Sequence, residues 1–189
     1  DRARHGAELG RGRAVRTHTL SVLVSNKPGV LARVSGLISR RGFNIDSLAV
    51  GTTERPEVSR MTIVMAVDDE RVIEQVVKQL NKLIEVYKIV ELEDNAVNLE
   101  MLLVKVSCTD SNRASVIDIT NLFRGHIIDV SPESVTIEVT GGQQKIASFS
   151  TMVSPYGIIE MVQSGQVALS RGNKSINEKK RPALARHNG

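Results

Sequence analysis

The chain has 189 residues, 41% of them hydrophobic, so it can form one or two domains whose cores are aliphatic, since only three Phe and two Tyr occur. No apolar run approaches the roughly 20 residues of a membrane span, no signal-peptide pattern is present, and the single Cys108, expected to be buried and inert, excludes an internal disulfide. The net charge of +4 comes from the basic ends (1–16 and 170–189), whereas the part between them is acidic overall, so the charge predicts solvated tails rather than a nucleic-acid-binding surface. The lack of a span, a signal peptide and a disulfide favours an intracellular protein that does not bind a membrane.

The first half of the chain shows the element order β-α-β-β-α-β. Residues 1–16 are rich in Arg and Gly without periodicity, which predicts a disordered tail. Gly42 is expected to close the first helix, and Asp68 or Asp69 to cap the second. The pattern predicts one domain over residues 17–93, with strands at about 18–25, 44–52, 59–67 and 85–93 and helices at about 29–41 and 70–83.

The same order repeats after a linker at 94–98, which predicts a second domain over 99–172 and a disordered basic tail over 173–189. Ser111 is expected to cap its first helix, and Gly141-Gly142 to form a hairpin-type turn rather than an anion nest. We predict strands at 99–108, 126–131, 134–140, 157–163 and 166–170 and helices ending near 124 and 153. The fold class is therefore α+β, with two ferredoxin-like βαββαβ modules. Apolar residues on the open face of each sheet favour its being covered by a partner.

No catalytic constellation is apparent. His5 and His187 lie in the tails, His18 and His126 begin strands, and no His or Cys has the spacing of metal ligands. RNA-recognition modules share this strand order, but they need aromatic residues on the central strands, and the strand at 59–67 has none. We therefore predict no catalytic residues, no metal site and no nucleic-acid partner.

The stretch from Asn26 to Leu31 is the strongest candidate for a binding site. A strand ends before it and a helix begins at Gly29 or Val30, so unpaired amide groups and the helix dipole can hold a carboxylate there. Asn26 adds a donor and an acceptor beside that point. These features suit a free amino acid, although on this stretch alone a plain turn with a helix cap is the favoured interpretation of Asn-Lys-Pro-Gly.

A second candidate is the pair Asn44 and Ile45, which follows Gly42-Phe43 at the predicted start of a strand. In a side-by-side dimer, the first helix of one chain would face this strand of the other. The competing interpretation is that Asn44 is only a turn residue after Gly42.

Several sequence blocks resemble the regulatory (small) subunit family of acetohydroxyacid synthase, also called acetolactate synthase, whose amino-terminal half is an ACT domain. The blocks in the first half are HTLSVLV (18–24), NKPGVLARV (26–34), RRGFNIDSLAV (40–50) and SRMTIV (59–64). Those that follow are QLNKLIEV (79–86), LFRGHIIDVSP (122–132) and SGQVALSRG (164–172). Together they span about residues 17–172.

This resemblance implies a non-catalytic subunit that activates a catalytic (large) subunit and makes it sensitive to feedback inhibition by valine. It also implies a homodimer through ACT domains, with valine or another branched-chain amino acid bound between them. By motif position, Asn26, Gly29, Val30 and Leu31 would bind from one chain, and Asn44 and Ile45 from its neighbour. The chain would carry no cofactor of its own, whereas its partner would use thiamine diphosphate, Mg²⁺ and FAD.

Two other functions are compatible with the sequence. One is an amino-acid-sensing ACT protein that acts on a transcriptional or other target, although no helix-turn-helix pattern supports it. Another is an enzyme in its own right. The expected compartment is the cytoplasm, with the plastid stroma as the alternative because the first residues are Arg-rich.

Overall fold

A computed structural model describes residues 15–177. The predicted tails, with His5 and His187, lie outside the described residues except for positions 15–16 and 173–177. The first module consists of β1 (Arg16–Ser25), α1 (Val30–Arg40), β2 (Ser47–Thr52), β3 (Val58–Val67), α2 (Glu70–Leu80) and β4 (Val86–Glu91). The second consists of β5 (Val97–Ser107), α3 (Arg113–Leu122), β6 (His126–Val130), β7 (Ser134–Gly141), α4 (Gln143–Val153), a 3-10 turn (Ser154–Tyr156), β8 (Ile158–Gln163) and β9 (Val167–Leu169).

Each module forms an antiparallel sheet, with strand order β2-β3-β1-β4 in the first and β6-β7-β5-β8 in the second. The short β9 pairs with the beginning of β5. This arrangement confirms the predicted α+β class and the two ferredoxin-like modules.

The core of the first module lies between its sheet and its two helices. Alternate residues of β1 (Leu20, Val22 and Val24) face the helices and are almost fully buried. The helices contribute apolar residues at helical spacing from one face each, Val34 and Ile38 among them. Each such side chain contributes about 1.5–3 kcal/mol by leaving water.

The core of the second module follows the same plan, with Leu102, Val104 and Val106 of β5 facing α3 and α4. Phe149 is fully buried and meets Phe123 edge to face, with ring centroids 5.4 Å apart. Cys108 belongs to this core and is fully buried, as predicted.

Three local predictions were wrong. β2 begins at Ser47 rather than at 44, because Asn44 and Asp46 form a turn closed by a hydrogen bond from Asn44 Nδ2 to Asp46 Oδ1 (3.1 Å). Asn112, not Ser111, precedes α3, and its Oδ1 accepts from the Thr109 amide. Gly142 begins a helix directly after β7, so Gly141-Gly142 is a strand-to-helix junction and not a hairpin.

Two predicted caps are confirmed. The Asp69 side chain accepts a hydrogen bond from the Arg71 amide at the start of α2 (3.0 Å). Gly42 lies just after α1 in the left-handed conformation, with φ of 74°.

The open face of the first sheet is covered in part by the chain itself. Residues 170–177, here called the C-terminal strap, bring Ile176 against Leu23 and Val58, and all three are buried. Lys174 forms an ion pair with Glu93. This differs from the sequence prediction, which places residues from 173 onward in a disordered tail and assigns the cover to a partner.

The second module also contacts the first through residues 164–166, here called the β8–β9 loop. The Gln166 amide donates to Ser47 Oγ (2.8 Å), and Gly165 lies directly against the Leu48 carbonyl of β2. Within residues 15–177, no helix has the length and apolar character needed to cross a membrane.

Candidate functional site

The start of α1 presents free backbone donors. Gly29 is the N-cap residue, with φ of 85°, and no side chain of the described residues caps the helix. The Val30 amide makes only a long contact with the Lys27 carbonyl (3.5 Å), and the first regular helical bond runs from Arg33 to Gly29 (3.1 Å). The amides of this first turn can therefore bind an anionic group.

Charge at this end of the helix also favours an anion. The first turn of α1 contains no acidic residue. Lys27 is exposed beside it, and Arg33 is paired with Glu85. A carboxylate placed here gains from the helix dipole, by about 0.3–1 kcal/mol at an exposed site.

Asn26 is held in place by the loop between β2 and β3. Its backbone amide donates to the Glu57 carbonyl and its Nδ2 to the Pro56 carbonyl, both at 2.9 Å. Among residues 15–177 nothing donates to Asn26 Oδ1, so this oxygen can accept from a ligand ammonium. Sequence reasoning missed Pro56 and Glu57, since no local pattern links them to a residue 30 positions earlier.

Asn44 and Ile45 lie in the turn between α1 and β2. Asn44 is exposed, with its Nδ2 directed to Asp46, and Ile45 is half-buried against the core of the first module. In this turn, the side-chain carbonyl of Asn44 and the exposed part of the Ile45 side chain are accessible to a neighbouring chain.

The structure does not bring these two groups of residues together within one chain. Ser47 lies level with Val64, and Val64 lies level with Thr19, whereas Asn26 follows the opposite end of β1. Seven residues of extended strand separate Thr19 from Asn26, which corresponds to about 20 Å. A single small amino acid cannot contact Asn26 and Asn44 of the same chain.

β2 is an edge strand, and its last residue, Thr52, is level with the end of β1 that leads to α1, since Thr52 and Val24 both pair with Ser59. It pairs with β3, and the β8–β9 loop contacts its first two residues. Val50, further along β2, and Leu31, at the start of α1, are 46% and 45% exposed. Exposed apolar side chains along a sheet edge are typical of an interface with another chain.

The two described histidines each pair with a carboxylate. His18 Nδ1 lies 2.6 Å from Glu91 Oε1, and His126 Nδ1 lies 2.8 Å from Glu138 Oε2. The hydroxyl of Thr140 and the His126 ring, both hydrogen-bonded to the Glu138 carboxylate, lower its pKa. Over residues 15–177, no group of three or more His, Cys, Asp or Glu is placed to hold a metal ion.

Comparison with known proteins gives consistent matches to both modules. A family model described as the AHAS small subunit-like ACT domain matches residues 20–88, and one described as the small subunit of acetolactate synthase matches residues 99–172.

Curated relatives and a solved structure match nearly end to end. The acetolactate synthase small subunit of Mycolicibacterium smegmatis is 56% identical over 165 residues, which cover 87% of this chain and 96% of the relative. The probable small subunit of Archaeoglobus fulgidus is 54% identical over 157 residues, covering 83% and 98%. The crystal structure of the Thermotoga maritima small subunit is 41% identical, covers 84% of this chain and 99% of its own, and superposes with a TM-score of 0.79.

Proposed function

This chain belongs to the acetolactate synthase small-subunit family, and from that premise we propose that it is a non-catalytic regulatory subunit that confers feedback inhibition by valine. It binds and activates the catalytic subunit of the synthase, which carries thiamine diphosphate, Mg²⁺ and FAD. Valine binds at an interface between two ACT domains.

The observation that carries this proposal is the uncapped start of α1, with the side-chain oxygen of Asn26 beside it. Asn44 and Ile45 lie about 20 Å away in the same chain, so they can complete this site only from a neighbouring chain. An antiparallel neighbour alongside β2 reverses the strand direction. It therefore brings Asn44 and Ile45 of one chain to the start of α1 in the other. Val50 on β2 and Leu31 in the first turn of α1 are both exposed and available to this neighbour.

Each part of valine has a matching group in such a site. The carboxylate accepts from the free amides at Val30 and Leu31, close to Gly29, which has no side chain to obstruct it. The ammonium donates to the side-chain carbonyls of Asn26 and Asn44. The isopropyl group packs against apolar side chains of Leu31 and Ile45.

Inhibition then follows from a shift between dimer geometries. Valine stabilises the geometry in which both halves of the site are closed around it. The size of the effect on the attached catalytic subunit is limited by the difference in valine affinity between the two dimer geometries.

The test is inhibition of the reconstituted holoenzyme by valine, with Asn26→Ala compared with wild type. Loss of a hydrogen bond to a charged group costs about 1.5–3 kcal/mol, so the valine concentration for half-inhibition rises at least about tenfold. We expect activation of the catalytic subunit to be retained, because among the described residues the Asn26 side chain bonds only to the Pro56 carbonyl of its own chain and the substitution is confined to the effector site.

Asn121→Ala is the matched control, since Asn121 is exposed on α3 in the other module. It is expected to change neither activation nor inhibition. Wild-type inhibition in Asn26→Ala would contradict the proposed site. Turnover of pyruvate by the isolated chain would contradict a purely regulatory role.

A further inference from the structure

A cavity of about 210 Å³ lies between the open face of the first sheet and the C-terminal strap. Its wall combines cationic, hydroxyl and apolar groups, among them Ser21, Arg60, Leu169, Lys174 and Ser175. It is far from the start of α1, because Ser21 faces the side of β1 opposite to the helices.

One polar atom in this wall has no partner. Ser21 is fully buried, and among the described residues no group is hydrogen-bonded to its Oγ. A buried hydroxyl left without a hydrogen bond costs about 1–3 kcal/mol. The cost disappears when a molecule in the cavity accepts a hydrogen bond from the Ser21 hydroxyl.

Arg60 is the second unusual group. Its side chain is partly buried, yet within residues 15–177 the guanidinium makes no ion pair or hydrogen bond. Burial lowers the pKa of Arg60, and this effect exceeds the opposing attraction of Glu54. A planar, partly desolvated guanidinium without a direct partner is suited to bind a carboxylate through two parallel hydrogen bonds.

The nearby carboxylates are engaged elsewhere. Glu54 accepts from Asn177 Nδ2 (3.0 Å), and Glu93 is paired with Lys174. Neither lines the cavity, and no other acidic side chain of the described residues does. The cavity therefore offers donors to an anion but no carboxylate to an ammonium.

An apolar groove of about 310 Å³ adjoins the cavity, and Arg60 and Leu169 line both. Val97 and Leu99 of β5 form one wall with Val167 of β9, and they are 41%, 43% and 56% exposed. Ala49 and Gly51 of β2 form the opposite wall. This volume suits an aliphatic chain attached to a group held by Arg60.

We propose that the cavity and groove together form a second ligand site, for an aliphatic carboxylate that lacks an ammonium group. The carboxylate binds to Arg60 and accepts from Ser21, and the aliphatic part fills the groove between β2 and β9. The ligand bridges the sheet and the strap, and so fixes residues 170–177 on the first module. This site is additional to the proposed valine site and does not depend on it.

The experiment titrates the full-length chain with 3-methylbutanoate, which is valine without its ammonium, and follows binding by calorimetry and amide hydrogen exchange. We expect the wild-type chain to bind the probe. With the probe bound, the amides of residues 170–177 should exchange more slowly than in the free chain. Arg60→Gln weakens this binding at least tenfold. Asn26→Ala leaves it unchanged, whatever that variant does to valine binding.

Ser21→Ala separates ligand recognition from folding. It removes a hydroxyl that has no partner in the free chain, so the unfolding temperature does not fall, whereas probe affinity falls several-fold. The proposal is overturned if wild type does not bind 3-methylbutanoate or if Arg60→Gln binds it as wild type does. It is also overturned if inorganic phosphate binds as tightly as the probe, since the apolar groove would then contribute nothing.

Discussion

Gly29 lies beside the backbone amides that bind the valine carboxylate in the proposed site. Its φ of 85° lies in the left-handed region, and a Cβ built on it has open space around it. A substitution there therefore acts through backbone strain and through the charge and bulk that it adds beside the first amides of α1.

Gly29→Asp is expected to abolish most valine inhibition of the holoenzyme. Like charges at about 4 Å repel by about 1 kcal/mol even in water and by more at a partly buried interface, so we expect at least a tenfold rise in the valine concentration for half-inhibition. Gly29→Asn is the matched control, because Asn tolerates the left-handed conformation and has nearly the same size without the charge. Equal loss of inhibition in both variants would contradict a carboxylate at this position.

Gly165 holds the second module against the first. A Cβ at this position would overlap the Leu48 carbonyl group. We expect Gly165→Ala to destabilise the chain by about 1–3 kcal/mol in urea unfolding and to speed amide exchange at Gln166, which donates to Ser47. Gly36→Ala is the control, since its Cβ has room within α1 and is expected to stabilise by about 0.5–1 kcal/mol.

Glu138 makes the stability of the second module depend on pH in the acid range. Hydrogen bonds from Thr140 and His126 lower its pKa in the folded state. Its contribution to stability is therefore complete above the ordinary carboxyl pKa of about 4.3 and is lost as pH falls through the lower folded value. Thr140→Val removes the largest cause, so a carboxyl NMR titration should show the Glu138 pKa rising towards its ordinary value. An unchanged midpoint would contradict this assignment.

Residue-level predictions succeeded where a local signal decides the outcome. Asp69 caps α2 because its carboxylate reaches an amide two residues later. Ser111 was expected to cap α3, but Asn112 competes with it and bonds back to the Thr109 amide. Two adjacent polar residues before a helix cannot be distinguished by composition alone, because either side chain reaches a free backbone group.

At the scale of elements, the C-terminal strap is the feature with the clearest energetic consequence. Ile176 is 6% exposed and packs with Leu23 and Val58. We expect Ile176→Ala to lower the free energy of unfolding in urea by about 2 kcal/mol, from lost burial and the resulting cavity. Ile84→Ala removes the same atoms from a side chain that is 88% exposed, and it should change stability by less than about 0.5 kcal/mol. A strap that does not pack on the sheet would make the two variants equivalent.

The strap could not be predicted from the sequence. One isolated apolar residue among Ser, Asn and Lys has no periodicity, and its partners lie more than 100 positions earlier. The strands and helices of both modules were predicted because alternation and helical spacing are local properties. The beginning of β2 was placed three residues early, since the turn at Asn44 depends on a side-chain bond to Asp46.

At the scale of the whole molecule, the sheet topology explains why the proposed valine site needs two chains. Asn26 and Asn44 lie at opposite ends of one sheet, and β2 between them is an edge strand. The sequence identified both groups of residues, but their separation follows only from strand register.

Subunit exchange between two variants tests this account most directly. Asn26→Ala and Asn44→Ala chains are each expected to bind valine weakly in calorimetric titration. After the two are mixed and allowed to exchange, each mixed dimer contains one site in which Asn26 and Asn44 are both intact. We predict that tight valine binding returns on mixing. If mixing restores no binding, although each variant folds and dimerises, the two asparagines do not meet across the dimer and the proposed site is wrong.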